Sequence, residues 1–167
     1  MEQDEQLRGE APGRSRLPFF QRPFFLSLTI GIPFCTFKFL FGITAVRVAG
    51  LPGISPLLVL GGAVVAWAFA DLAMNAGRAI FDLFGREAPF EYCTIAQMGT
   101  IFGMSTVFLA VDTLVTFTII CAMLWSGWIT LLGTFESWLW YGATTLNLIS
   151  LSLVSLYAET KRVKDRV

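Results

Sequence analysis

The sequence predicts an all-α fold: an integral membrane bundle of four transmembrane helices with both termini on the cytoplasmic side or its topological equivalent (N-in/C-in). Three observations carry this expectation. Mean hydropathy is +0.67, with 55% hydrophobic and 14% charged residues, a balance typical of membrane proteins. Four apolar segments, at about residues 24–46, 57–76, 97–125 and 137–157, are each long enough to cross about 30 Å of hydrocarbon. The basic residues outside them are lopsided: Arg8, Arg14, Arg16 and Arg22, then Arg78 and Arg86, then Lys161, Arg162, Lys164 and Arg166, against Arg47 alone on the other side. That asymmetry sets orientation under the positive-inside rule.

The elements follow in order. Residues 1–22 mix four acids with four arginines and contain Pro12 and Gly13, so a disordered cytoplasmic tail is expected. The membrane domain then covers residues 23–158, and residues 159–167 form a basic cytoplasmic tail suited to anionic lipid. The first span contains Pro33, which predicts a kink, and Lys38. Arg47 to Pro56, with Gly50, Pro52 and Gly53, reads as a turn. In the second span Asp71, Asn75, Arg78 and Asp82 recur at helical spacing, predicting one polar stripe and a helix that continues to Leu83 beyond the membrane. The segment from Gly85 to Cys93 closes a hairpin. A third helix is expected to run unbroken from about Thr94 to Trp125, with Asp112 midway along its apolar core from Ile101 to Met123. The fourth runs from about Ser137 to Tyr157. Trp125, Trp128, Trp138, Trp140 and Tyr141 gather at the outer ends of these two helices, as an interfacial aromatic belt would.

Several activities have no support in the residues. Histidine is absent, which removes imidazole-based triads and His-ligated haem. The three cysteines, Cys35, Cys93 and Cys121, show no CxxC spacing. HExxH, GxSxG and P-loop patterns are missing, so no enzyme activity, no cofactor and no metal are expected. No basic patch interleaved with aromatics suggests nucleic acid. The sixteen phenylalanines read as anchors or as a lipid and protein contact surface.

The candidate site lies among the intramembrane polar residues Lys38, Asp71, Ser105, Asp112, Thr116 and Asn147. Counting at 1.5 Å per residue puts Lys38 about 21 Å and Asp112 about 22 Å above the inner face. A pair at one level relieves two charges that would each cost about 2.5–3.5 kcal/mol alone in hydrocarbon. The pair is either a gate or proton relay, or an internal tie between two helices. Asp71 comes out only about 9 Å deep. In a symmetrical hairpin centred near Ala88 it faces Ser105, with Asp112 about 10 Å further out. It either begins a path through Ser105, Asp112, Thr116 and Asn147, or it caps the polar stripe through Asn75 and Arg78.

Small residues predict packing. Gly62, Ala66 and Ala70, continued by Ala73 and Gly77, share one face of the second helix, and Gly99 and Gly103 form a GxxxG on the third. The hairpin brings Gly77 to Gly99 and Ala73 to Gly103, an intimate antiparallel pair. The expected function is a structural or accessory subunit of a larger membrane complex, acting through helix contacts with membrane lipids, other subunits or itself. The alternative is an oligomeric ion channel or proton- or cation-coupled transporter using Asp112, Asp71 and Lys38.

Overall fold

In the computed structural model of the chain, residues 22–50 and 55–164 are described, except for the side chains of residues 161 and 164; the N-terminal tail expected over residues 1–22 therefore lies almost wholly outside the described residues. Among the described residues, four helices are long and apolar enough to cross a membrane: Pro23–Ala49 (α1), Pro56–Leu83 (α2), Ser105–Trp125 and Thr134–Thr160. A fifth, short helix, Thr94–Ile101 (α3), precedes Ser105–Trp125 (α4). The last helix, α5, continues to Lys164, so most of the basic C-terminal segment is helical.

The centre of the fold is α1. Helices α2, α4 and α5 all pack on it rather than substantially on one another. A helix surrounded in this way should be apolar on every side, and α1 sends a phenylalanine to each neighbour. Phe39 meets Phe69 of α2 at 5.2 Å, Phe34 meets Phe117 of α4 at 6.0 Å, and Phe37 meets Trp140 of α5 at 4.9 Å between ring centroids. Phe41 stacks on Trp128. Trp128 and buried Trp140 therefore serve the core, while Trp125, Trp138 and Tyr141 are the exposed members of the expected belt.

Pro33 lacks the amide proton and crowds the carbonyl four residues earlier. The helix absorbs this with a π-helical turn over Ser27–Gly31. That turn presents Thr29, whose hydroxyl lies 2.7 Å from the Ser150 hydroxyl of α5, a buried contact between two helices.

The closest backbone approach is between α1 and α2. A β-carbon on Gly61 would stand 2.8 Å from the Gly42 carbonyl oxygen, and one on Gly42 would stand 2.9 Å from that of Gly61. This corrects the expected pairing of the second and third helices. Gly77 holds the Phe90 ring, Gly99 holds Phe108, and Gly62 has nothing within 4 Å. Gly62, Ala66, Ala70 and Ala73 all lie exposed on the outer face of α2.

The helix expected over Thr94–Trp125 is broken at Phe102–Met104. Gly103 adopts φ +66°, the left-handed conformation that favours glycine. The Met104 amide donates to the Gly99 carbonyl and the Gly103 amide to that of Thr100, a helix-stop pattern. The same pattern ends α2 at Gly85, with Arg86 bonded to Phe81 and Gly85 to Asp82. Helix α3 then lies against α4, with Phe102 stacked on Phe108.

We expect Gly42→Ala and Gly61→Ala each to destabilise the protein by about 1–3 kcal/mol through overpacking, and Gly62→Ala to change stability by less than about 0.5 kcal/mol. Thermal melting in a mild detergent checks the contrast; equal losses at all three positions would refute the α1–α2 contact.

Candidate functional site: a buried lysine shared by two aspartates

Between Leu83 and Thr94 the chain turns back along α2, held by the polar stripe. Arg78 donates to the Phe90 carbonyl at 2.6 Å and Asn75 to that of Tyr92 at 2.8 Å. Asp71 accepts from both the amide and the hydroxyl of Thr94, at 2.7 and 2.9 Å. Contacts 71–94, 75–92 and 78–90 run antiparallel, so the stripe satisfies a stretch of non-helical backbone for about two turns. At membrane depth such backbone is tolerated where protein covers it. The stripe also reaches α1, where the Phe24 amide donates to Asp82 at 3.3 Å.

This return delivers the N-terminus of α3 to Asp71. The positive end of the helix dipole and the Thr94 amide both favour a carboxylate there. Cys93 caps α3, its sulfur accepting from the Ala96 amide at 3.4 Å. Burial is the main cause that pushes the Cys93 thiol up to about 12, keeping it protonated. Tyr92 is also pushed up by burial, while Arg78, stacked on its ring at 3.9 Å, opposes the shift.

Lys38 projects from α1 into the gap between α2 and α4. Its ammonium donates to Asp71 Oδ2 at 2.7 Å and to Asp112 Oδ1 at 2.6 Å, and it lies 4.1 Å from the centre of the Trp67 ring. The lysine and Asp71 side chains are 1% exposed and Asp112 5%. One ammonium thus joins three helices. Formal charges leave one negative charge in excess, offset in part at Asp71 by the α3 N-terminus.

The structure places Asp71 and Asp112 on the same ammonium, correcting the expected separation of about 10 Å. The cause is the reversal at Gly103. In one straight helix Thr94 and Asp112 would stand about 27 Å apart, yet both meet the Lys38–Asp71 pair. Ser105, at the start of α4, and Asn147, half-buried on α5, have no bond to the cluster. Thr116 is fully buried one turn beyond Asp112, but its hydroxyl donates to the Asp112 backbone carbonyl. Sequence reasoning missed Trp67, Cys93 and Thr94. Trp67 was findable, since it precedes Asp71 by one helical turn and so shares its face; Thr94 depends on the chain reversal.

A cavity of about 170 Å³ adjoins the cluster. Its lining combines the polar Lys38, Asp71, Asn75 and Asp112 with the apolar Leu26, Ile30, Phe34 and Leu109. The Asn75 side-chain oxygen is buried and accepts no hydrogen bond. It sits where a β-carbon on Gly31 would be, so glycine is required there. At the other end of α1, Arg47 grips Glu136 through both guanidinium nitrogens, at 2.7 and 3.1 Å, and donates to the Leu131 carbonyl at 2.8 Å.

Lys38→Met leaves two buried carboxylates facing each other, and we expect a loss of about 3–5 kcal/mol. Asp112→Asn leaves a matched Lys38–Asp71 pair and should cost markedly less. Melting of both variants checks this ranking, which equal losses would contradict. At pH 8 maleimide should label Cys93 far more slowly in the folded protein than after denaturation, because burial removes both access and thiolate; rapid labelling of the folded protein would disprove that burial.

Compared with protein-family models, curated proteins and solved structures, the chain matches none of them.

Proposed function

We propose that this chain is a small multi-pass membrane protein that carries a cation or proton through the Lys38–Asp71–Asp112 cluster, with both termini on the cytoplasmic side or its equivalent. The ten-to-one distribution of basic residues outside the spans supports the orientation. The observation that carries the function is one buried ammonium shared between carboxylates of two different helices at the edge of a cavity. Intramembrane charges of this kind mark ion and proton pathways, and interrupted helices with covered non-helical backbone line transporter sites.

The sharing also provides a mechanism. When a cation or proton neutralises Asp112, Lys38 keeps its pair with Asp71 and its hold on α4 weakens. When the charge leaves, Asp112 recaptures Lys38 and the three helices are tied again. Since α2 and α4 both pack on α1 and not substantially on each other, that tie can change without disturbing the α1–α2 seam.

A second reading, a subunit working through helix contacts, is favoured by the outward stripe of Gly62, Ala66, Ala70 and Ala73. Small residues let another helix approach closely in lipid, and none of the described residues covers them.

Two experiments test these readings. Flux of protons or monovalent cations into liposomes should be saturable for the wild type and lost in Asp112→Asn while insertion and folding persist; wild-type liposomes no leakier than empty ones would defeat the transport reading. Particle mass in lipid discs formed from the native membrane should exceed that of one chain, and Ala66→Leu should reduce it. A lone chain in both proteins would remove the contact surface.

A further inference from the structure

We infer that the cavity beside Lys38 binds a primary ammonium ion carrying a compact apolar group. The inference deepens the transport reading, because it rests on the same excess of carboxylate over ammonium. Asp71 already takes three donors: one oxygen takes the lysine and the other takes the amide and hydroxyl of Thr94. Asp112 has one strong donor, Lys38, and the weakly donating Cys93 thiol beside it. Asp112 is therefore the acceptor with capacity for a second cation. A ligand ammonium has the same chemistry as the lysine it would stand beside, so it can share or take over the Asp112 contact.

The second, independent observation is the buried Asn75 oxygen. Asn75 is 3% exposed and lines the same cavity. Its amide nitrogen is committed to the carbonyls of Asp71 and Tyr92, which fixes the oxygen as an unpartnered acceptor. A buried acceptor left without a donor costs about 1–3 kcal/mol; this oxygen packs against Gly31, itself a lining residue, so a ligand donor on that wall would relieve it.

Size and lining narrow the chemistry. The volume, about 170 Å³, slightly exceeds the roughly 150 Å³ of a cavity that holds benzene. The lining also includes the apolar Leu26, Ile30, Phe34 and Leu109, which suit a hydrocarbon or aromatic group. A hard divalent metal such as calcium asks for about six to eight oxygen ligands, more than Asp112 and Asn75 provide. A proton on Asp112 would settle the charge but leave the Asn75 oxygen and the apolar space unused.

The test uses the full chain in a neutral detergent, with benzylammonium as the probe and benzyl alcohol as its uncharged counterpart. Benzylammonium should raise the melting temperature saturably at neutral pH, and benzyl alcohol should not. Asp112→Asn should weaken the effect by about tenfold or more, the worth of a charge-assisted hydrogen bond. Leu109→Trp, which fills part of the cavity and keeps all three residues of the ion cluster, should abolish it and covers the case in which Asp112→Asn fails to fold. Equal shifts from benzyl alcohol, an unchanged response in Leu109→Trp, or no saturable shift would overturn the inference. Asp112-dependent flux of protons or metal ions without benzylammonium binding would overturn it while leaving the transport reading; binding without any flux would support it and sink that reading.

Discussion

A lysine buried on the central helix must be neutralised by its neighbours, and most of this architecture follows from that demand. Lys38 cannot reach water, being 1% exposed, so α2 and α4 each bring an aspartate to it. A buried ion pair adds little net stability over a hydrophobic replacement, but losing one partner is costly. The cluster therefore specifies an arrangement more than it strengthens one. It fixes how far α2 and α4 are rotated about α1, and the phenylalanines of α1 fill the remaining surface against each neighbour. At its far end the Arg47–Glu136 clasp sets the approach of α5, in a setting 45% exposed on the arginine side, where such a pair contributes about 0–1 kcal/mol.

The polar stripe on α2 links this constraint to the chain's least regular segment. Asp71, Asn75 and Arg78 are spaced to face one side of a helix, and each binds a residue of the returning segment in strict antiparallel order. The stripe thus satisfies backbone that could not otherwise be covered, and it puts the N-terminus of α3 against the same carboxylate that holds Lys38. Regularity in α2 makes irregularity in the return possible.

The sequence makes part of this legible. Spans 24–46, 57–76 and 137–157 fall within observed helices, because continuous hydropathy over about twenty residues needs no tertiary information. The third span is legible only from Ser105 onward, since hydropathy carries no mark of the reversal before it. Lys38 and Asp112 do meet, although the count that put them at one level ran straight through the break at Phe102–Met104. That Asp112 also comes level with Asp71 is not legible, because it depends on the reversal at Gly103, where one backbone dihedral redirects everything after it. The same glycine explains the misread packing. Gly99 and Gly103 have the spacing of a helix-contact motif, and the sequence does not distinguish that from a helix stop. Likewise, spacing shows that Gly62, Ala66 and Ala70 share a face but not what that face meets; the contact glycine is their neighbour Gly61.

The order of synthesis gives the central lysine a further significance. Lys38 precedes Asp71 by 33 residues and Asp112 by 74, so α1 leaves the ribosome before either counter-charge exists. At about 5–20 residues per second the wait lasts seconds. During that time α1 carries an unpaired ammonium worth about 2.5–3.5 kcal/mol against insertion. Lipid is therefore the costlier surrounding for α1 until α2 brings a carboxylate to the ammonium. The helix that is central in the fold thus depends for its charge on segments made after it.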